Sequence, residues 1–354
     1  MRTLDRYIAR IVMLSIASVL VVLVAVFSFF KFIDELDQVG RGGYGILTIV
    51  EFVFFSTPRL TYELFPIAAL IGTLIGLGTL VRNSEMIVIR TSGVSLARIV
   101  LSAMKLGSVF VLASLVVGEF IAPPSEEVAQ HRKSIATTNQ IALRTPGGFW
   151  ARDGRSYINI RRVLPGNRVE GVYIYEFDDK NRLRVSTSAR QAYYKQGRWV
   201  LEKIEQTVFD ADRVRKRRME HAPWDSLLDP KLINLVAINP QHLSMINLYN
   251  YIRFREVNGQ NSRYYRHALW AKLSYPLATG VMVFLAIPIV LVTAQKTGIG
   301  QRVVIGSCIG LVFHIINKAA GSLGVVFDLS PVLSAMFPTA ATFLAAVLLM
   351  RRVH

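Results

Sequence analysis

The stretch that decides the fold is IARIVMLSIASVLVVLVAVFSFFKF, residues 8 to 32. Between Arg10 and Lys31 it carries no charged side chain. As an α-helix it is long enough for the ~30 Å hydrocarbon core of a bilayer, which takes about 20 apolar residues. It is longer than the apolar core of a signal peptide, and no small-residue cleavage site follows it. It therefore reads as a retained membrane span.

Working outward, apolar runs of similar length recur at 58–81, 99–122, 268–293, 303–323 and 331–350, for six spans in all. The apolar pattern of the second run begins earlier, at Ile46. From there to Val81 is longer than one crossing requires, and Thr57-Pro58 predicts a break into an interfacial helix followed by the span proper. Gly72-x-x-x-Gly76 and Gly306-x-x-x-Gly310 have the small-residue spacing that lets membrane helices approach closely.

The composition agrees. The chain of 354 residues is 52% hydrophobic and only 18% charged, against about 25% charged in soluble domains. Mean hydropathy is +0.38. A net charge of +17 would suggest nucleic-acid binding in a soluble chain; here arginines beside spans account for it, and no nucleic-acid partner is expected. The single cysteine, Cys308, excludes an intrachain disulfide and any paired-cysteine metal or redox site, and its apolar run predicts inert packing.

Arg2, Arg6 and Arg10, then Arg82, Arg90 and Arg98, then Lys296 and Arg302, and finally Arg351-Arg352 all fall on one side of the spans. Asp34, Glu35, Asp37 and Asp328 fall on the other. By the positive-inside rule both termini are cytoplasmic and the long segment 123–267 lies outside. That segment reads as β-rich. Strands are expected at 148–154 (ending in an Asp153-Gly154 turn), 156–161, 171–177, 182–188, 189–195 and 198–209, a spacing that suits a sandwich, barrel or jelly roll. After Pro240 the period turns helical through Leu248, Tyr249, Ile252 and Val257. Gly259 ends that helix, and another from Ser262 leads into the fourth span.

The residues offer no catalytic constellation. The sequence has no GxxxxGKS or GxxxxGKT phosphate loop and no HExxH, and its histidines are scattered. Paired acids such as Glu126-Glu127 and Asp178-Asp179 sit in turn-like segments without the enforced geometry of acid–base work. No metal site and no cofactor is expected. A transporter subunit fits, and so does a membrane-anchored sensor with an outer ligand-binding domain. The loop 82–93 is short for a sensor's output domain. In it Ser84 is positioned to cap a helix that opens on Glu85, carries Met86, Ile87 and Ile89, and ends at Gly93. Such an amphipathic helix suits the inner membrane surface or a docking site for a partner.

Several segments together carry a family resemblance: Leu4-Asp-Arg-Tyr-Ile8, Lys31-Phe-Ile-Asp34, Ser84-Glu85 with Ser92-Gly93, Gly118-Glu119 followed by Ala122-Pro123, and Trp150-Ala-Arg-Asp-Gly154. In order and spacing they resemble the LptF/LptG family of lipopolysaccharide-export permeases across essentially the whole chain. The first, second and last segments favour the G branch over its paralogue F. The resemblance implies a polytopic inner-membrane α-helical protein with a periplasmic β-jelly roll. The expected domains are 1–122 with a coupling helix near 83–93, 123–267, and 268–354. It further implies a permease that is not itself an enzyme and that extracts lipopolysaccharide as part of an ABC transporter. Its implied partners are an LptF permease, an LptB ATPase dimer, an LptC adaptor and the LptA bridge. Lipid would enter between the first span of one permease and the fifth of the other. Lys31, Arg59 and Lys133 match head-group cations. Gln130 replaces a further one, and Arg132 adds a charge nearby. Glu85 matches the acid that faces the ATPase, with Ser84, Met86 and Ile89 completing the coupling helix.

Overall fold

The structure is a computed structural model describing residues 2–40, 43–138, 143–153, 155–164, 168–180, 182–195, 198–209, 213–224, 243–257, 259–292, 298–327 and 329–352. Gly154, Lys296 and Asp328, used above for a turn and for orientation, lie outside the described residues. The chain divides into two compact units, Met1–Asp37 with Val53–Val128 and Arg263–His354, and Gln38–Phe52 with Ala129–Ser262.

The first unit is helical. In chain order the helices are α1 (Arg2–Leu36), α2 (Ile46–Arg82), the short α3 (Glu85–Thr91) and α4 (Leu96–Val116), which runs through a π-helical turn (Val117–Ile121) into α5 (Ala122–Thr138). After the sheet domain come α6 (Met245–Val257), α7 (Arg263–Val292), α8 (Ile299–Val326) and α9 (Pro331–Arg351). Among the described residues 6 helical segments are long and apolar enough to cross a membrane: α1, α2, the α4–α5 rod, α7, α8 and α9. Each contains one of the expected spans.

The expected break at Thr57-Pro58 does not occur, and α2 is continuous through both Pro58 and Pro66. A proline removes one backbone donor. Here the hydroxyls of Thr57 and Thr61 bond the carbonyls of Val53 and Thr57, both at 2.9 Å, in the flanking turns. The helix spans 37 residues, roughly 55 Å at 1.5 Å per residue. Its excess over one crossing is explained by its first turns, which belong to the second unit.

Glycines set the close contacts of this bundle. A Cβ on Gly72 would lie 2.4 Å from the Ile16 backbone on α1, and one on Gly76 3.0 Å from that of Val12. Gly306 and Gly310 of α8 receive Ile71, Leu74 and Ile67 of α2. Both small-residue motifs are therefore real contact faces: the first seats α2 on α1, and the second seats α8 on α2. The core around them gathers Ile8, Val12 and Ile16, Leu70 to Leu80, Ile99, Leu106, Met282 to Val290 and Ala346. Cys308, expected in packing, is instead exposed on α8.

The second unit is built on one antiparallel sheet whose strands pair strictly in chain order, β1 to β6: β1 (Leu143–Asp153), β2 (Ser156–Leu164), β3 (Arg168–Phe177), β4 (Leu183–Lys195), β5 (Arg198–Phe209) and β6 (Val214–Trp224). Among the described residues the sheet has no Greek-key crossover. Where a jelly roll is expected, the described residues form one antiparallel sheet of sequential neighbours. The expected strands 182–188 and 189–195 are one strand, β4, paired along its length with β3 and β5. β6 escaped prediction because Arg215-Lys-Arg-Arg218 shows no apolar alternation; it is an exposed strand that, among the described residues, pairs only with β5. Charged side chains on such an edge discourage unwanted strand pairing.

One face of the sheet is apolar. Ile158, Ile160, Val172, Ile174, Ala189, Trp199, Leu201 and Ile204 form a single buried cluster. Lys203, at φ 51°, shifts the alternation in β5 so that Leu201 and Ile204 both turn inward. The turn after β3 is closed by Asp178, whose carboxylate accepts from the backbone N–H of Arg182 at 2.8 Å and of Lys180 at 2.9 Å. Those bonds hold its carboxyl below the usual range. α6 ends on Gly259 at φ 64°, with Gln260 N–H on the Arg255 carbonyl at 2.8 Å, the glycine stop expected there.

Candidate functional site

The loop after α2 turns sharply at Ser84, whose backbone is left-handed at φ 59°. Its hydroxyl makes no cap bond, contrary to expectation. Ile87 and Val88 instead donate to the Ser84 carbonyl at 3.1 and 3.2 Å. α3 then runs for 7 residues and ends at Gly93, φ 85°.

Glu85 is held from two sides. Tyr7 of α1 donates to its Oε2 at 2.9 Å and Asn83 to its Oε1 at 3.2 Å. Met86 and Ile89, expected on the docking face, are 5% and 9% exposed and pack into the helical core. They correct the sequence reading, because a seven-residue helix held against the bundle must turn one apolar pair inward. The outward apolar pair is Ile87 and Val88, 55% and 62% exposed. Nearby, Asp5 of α1 accepts from Ser102 at 2.8 Å and pairs with Arg98 of α4 at 3.5 Å.

The four expected head-group cations divide between the units. In the helical unit, Arg59 bonds Glu63 through Nε at 2.9 Å, one helical turn along. Its Nη1 is buried and meets no hydrogen-bond partner among the described residues. The charged groups around Lys31 are Glu126, Arg59, Glu63 and Glu35, and both Glu35 and Glu126 are buried, at 8% and 2% exposed. Lys31 and Arg59 thus share one enclosed charge network built from α1, α2 and α5. In the sheet unit, Arg132 pairs with Glu51, and the Lys133 ammonium lies over the Phe52 ring, 4.8 Å from its centroid.

Of these carboxylates, sequence reasoning named Glu35 as an outer acid and put Glu126 in a turn-like segment, whereas Glu126 is buried on α5; it missed Glu63 and one more cation, Lys272 of α7. Lys272 is 7% exposed, its charged neighbours are Glu119 and Arg59, and its ammonium donates to the Gly118 carbonyl at 3.2 Å. The available signal was its position inside an apolar run, since an ionisable side chain within a span is rarely there without a role. Basic groups within a helical bundle, screened from water, can hold an anion through charge-assisted bonds. Among the described residues no group of three or more histidines, cysteines or acids is arranged to hold a metal ion.

Residues 6–352 match the family described as lipopolysaccharide export system permease LptF/LptG. The chain is 31% identical over 352 residues to the lipopolysaccharide export system permease protein LptG of Escherichia coli strain K12, covering 99% of this chain and 98% of that one. It is 30% identical over 339 residues to the protein of the same description in Haemophilus influenzae, covering 95% of each.

Proposed function

The chain belongs to the lipopolysaccharide export permease family LptF/LptG, and from that premise we propose how its own residues serve the task. It is a multi-pass permease subunit of the ABC-type Lpt export pathway, with a periplasmic sheet domain, and ATP is hydrolysed by a partner ATPase subunit. The G branch, with an LptF permease as its pair, is the reading its relatives support. An LptB dimer beneath, an LptC adaptor and the LptA bridge complete the proposed assembly.

With the sheet domain periplasmic, a cytoplasmic N-terminus is the reading supported by the three candidate crossings that precede it. The three that follow return the C-terminus there, as the arginines beside the spans also require. Segments 1–122 and 268–354 then form the membrane body, and 123–267 the periplasmic domain. Glu85 faces the ATPase, where Ile87 and Val88 add apolar contact to its charge. Ser84 shapes the loop, and Met86 and Ile89 anchor it from within.

Lys31 and Arg59, with Arg132 and Lys133, meet the phosphates of the lipid head group. The observation that carries this reading is Arg59, a part-buried guanidinium whose Nε is engaged by Glu63 and whose buried Nη1 meets no hydrogen-bond partner among the described residues. An anion on Nη1 satisfies a donor that is otherwise costly to bury. The test is to purify the chain with its native partners and identify bound lipid by mass spectrometry. Wild type is expected to retain both lipopolysaccharide and ATPase, and Arg59→Gln to retain the ATPase and lose the lipid. Equal lipid in both samples removes Arg59 from the site.

A further inference from the structure

The third span contains a turn that its own backbone does not satisfy. Val117–Ile121 is π-helical, and the turn closes with the Ala122 N–H on the Val117 carbonyl. In the same register the Gly118 carbonyl requires the N–H of residue 123, which is proline and has none. Pro124 follows directly. In a membrane a carbonyl without a donor is costly, and the deficit is met from neighbouring helices.

Lys272 meets it. Its ammonium reaches across from α7 to the Gly118 carbonyl at 3.2 Å. Its own carbonyl accepts the hydroxyl of Tyr62, on α2, at 2.7 Å. The Tyr62 ring in turn lies on Gly118, where a Cβ would approach a ring carbon to 2.4 Å. One buried lysine therefore ties α7 and α2 to the weakest turn of the third span. π turns and prolines are the places where helices bend.

Arg59 is a charged neighbour of the same lysine, one turn along α2 from the Tyr62 that bonds the Lys272 carbonyl. In this structure its partner is a neutral carbonyl, with Glu119 and Arg59 as its charged neighbours. A phosphate held by Arg59 Nη1 brings a stronger acceptor close by, because charge-assisted hydrogen bonds exceed neutral ones. Withdrawal of the ammonium then leaves the Gly118 carbonyl without a donor and the π turn unsupported.

We propose that Lys272 is the pin of a hinge at residues 117–124 of the third span, seated on the Gly118 carbonyl and withdrawn when an anionic head group binds at Arg59. Lys272 is a positioning residue, and the trigger rests on the head-group reading given above. Binding at one level of the membrane unit is thereby converted into movement of a span.

The experiment uses the full complex in nanodiscs. Cys308, the only cysteine, is first replaced by serine, and nitroxide labels are placed at Leu112 and Val128, exposed positions on either side of the turn (62% and 38%). Double electron–electron resonance then reads the label separation. Wild type is expected to show one distribution alone and a shifted one with lipopolysaccharide. Lys272→Met should show the shifted distribution without lipid, and Lys272→Arg should behave as wild type. Maximal transport should fall about tenfold in Lys272→Met while the half-saturating lipopolysaccharide concentration stays nearly constant, as expected on losing one bond to a charged donor. Gly118→Ala displaces the Tyr62 ring with the lysine still present, and should also show the shifted distribution without lipid. An unshifted Lys272→Met overturns the pin. So does equal impairment of the arginine and methionine variants. If Lys272→Met does not assemble, an unshifted Gly118→Ala overturns it instead. A wild type that lipopolysaccharide does not shift, beside a shifted Lys272→Met, overturns the head-group reading and leaves the pin standing.

Discussion

The hydroxyl of Tyr7 donates a 2.9 Å hydrogen bond to the Oε2 of Glu85, 78 residues away in sequence. The contact joins the start of the first membrane helix to the loop proposed to meet the ATPase. It orients the acid while leaving Ile87 and Val88 facing outward.

If Glu85 couples the two subunits, Glu85→Ala should reduce lipid-stimulated ATP hydrolysis about tenfold or more, in line with loss of a charge-assisted contact. Tyr7→Phe keeps the carboxylate and loses only its orientation. Its effect should be smaller, about 1 kcal/mol or less. Steady-state hydrolysis in proteoliposomes compares the two, and equal activity of Glu85→Ala and wild type counts against coupling through this acid.

The two apolar pairs of α3 should separate by phenotype. Ile89→Ala opens a cavity in the helical core and should cost about 2–4 kcal/mol of stability. Ile87→Ser and Val88→Ser should leave the melting temperature nearly unchanged and weaken ATPase association. Thermal unfolding and a pull-down of the ATPase together read this out. A large thermal shift in Ile87→Ser means that the outward pair is structural.

At the proposed head-group site, Glu63, which pairs with Arg59, would compete with phosphate for it. Removing its charge in Glu63→Gln should tighten lipopolysaccharide binding about fivefold, the worth of roughly 1 kcal/mol for a partly exposed ion pair. Lys31→Asp should impair both binding and transport far more than Lys31→Arg, with both variants still assembling. Titration of labelled lipopolysaccharide measures each, and normal transport by Lys31→Asp reduces that lysine to an interfacial anchor.

On the sheet, photo-crosslinkers at Val172, Ile174, Leu201 and Ile204 occupy the apolar face, whereas Tyr173 and Tyr175 alternate away from it. Lipid passing over the apolar face should be captured at the first set and not at the second, because strand side chains point to opposite faces. A profile without alternation speaks against lipid transit there.

Gly72→Val tests the bundle itself. Even a Cβ at this position approaches the Ile16 backbone to 2.4 Å, and backbone does not yield as a flexible side chain would. The substitution should destabilise the membrane unit by about 1–3 kcal/mol, with an earlier detergent-induced unfolding transition. An unchanged transition means that α1 is free to move off α2 at that point.

The sequence by itself determined the membrane spans, the sheet-forming segment and the family, because these depend on runs of residues and on local period. Apolar length sets a crossing, alternation sets a strand, and Gly93 and Gly259 stop helices wherever the chain is placed. Tertiary structure decided what depends on the side of a helix and on distant partners. Met86 and Ile87 are neighbours of similar character, yet packing buries one and exposes the other. Thr57-Pro58 reads as a break, but α2 runs through it as one helix. β6 carries too little apolar pattern to be read as a strand until β5 supplies its hydrogen bonds. Lys272 lies 154 residues from Gly118, and only the packing of their helices makes the lysine the donor that Pro123 removed.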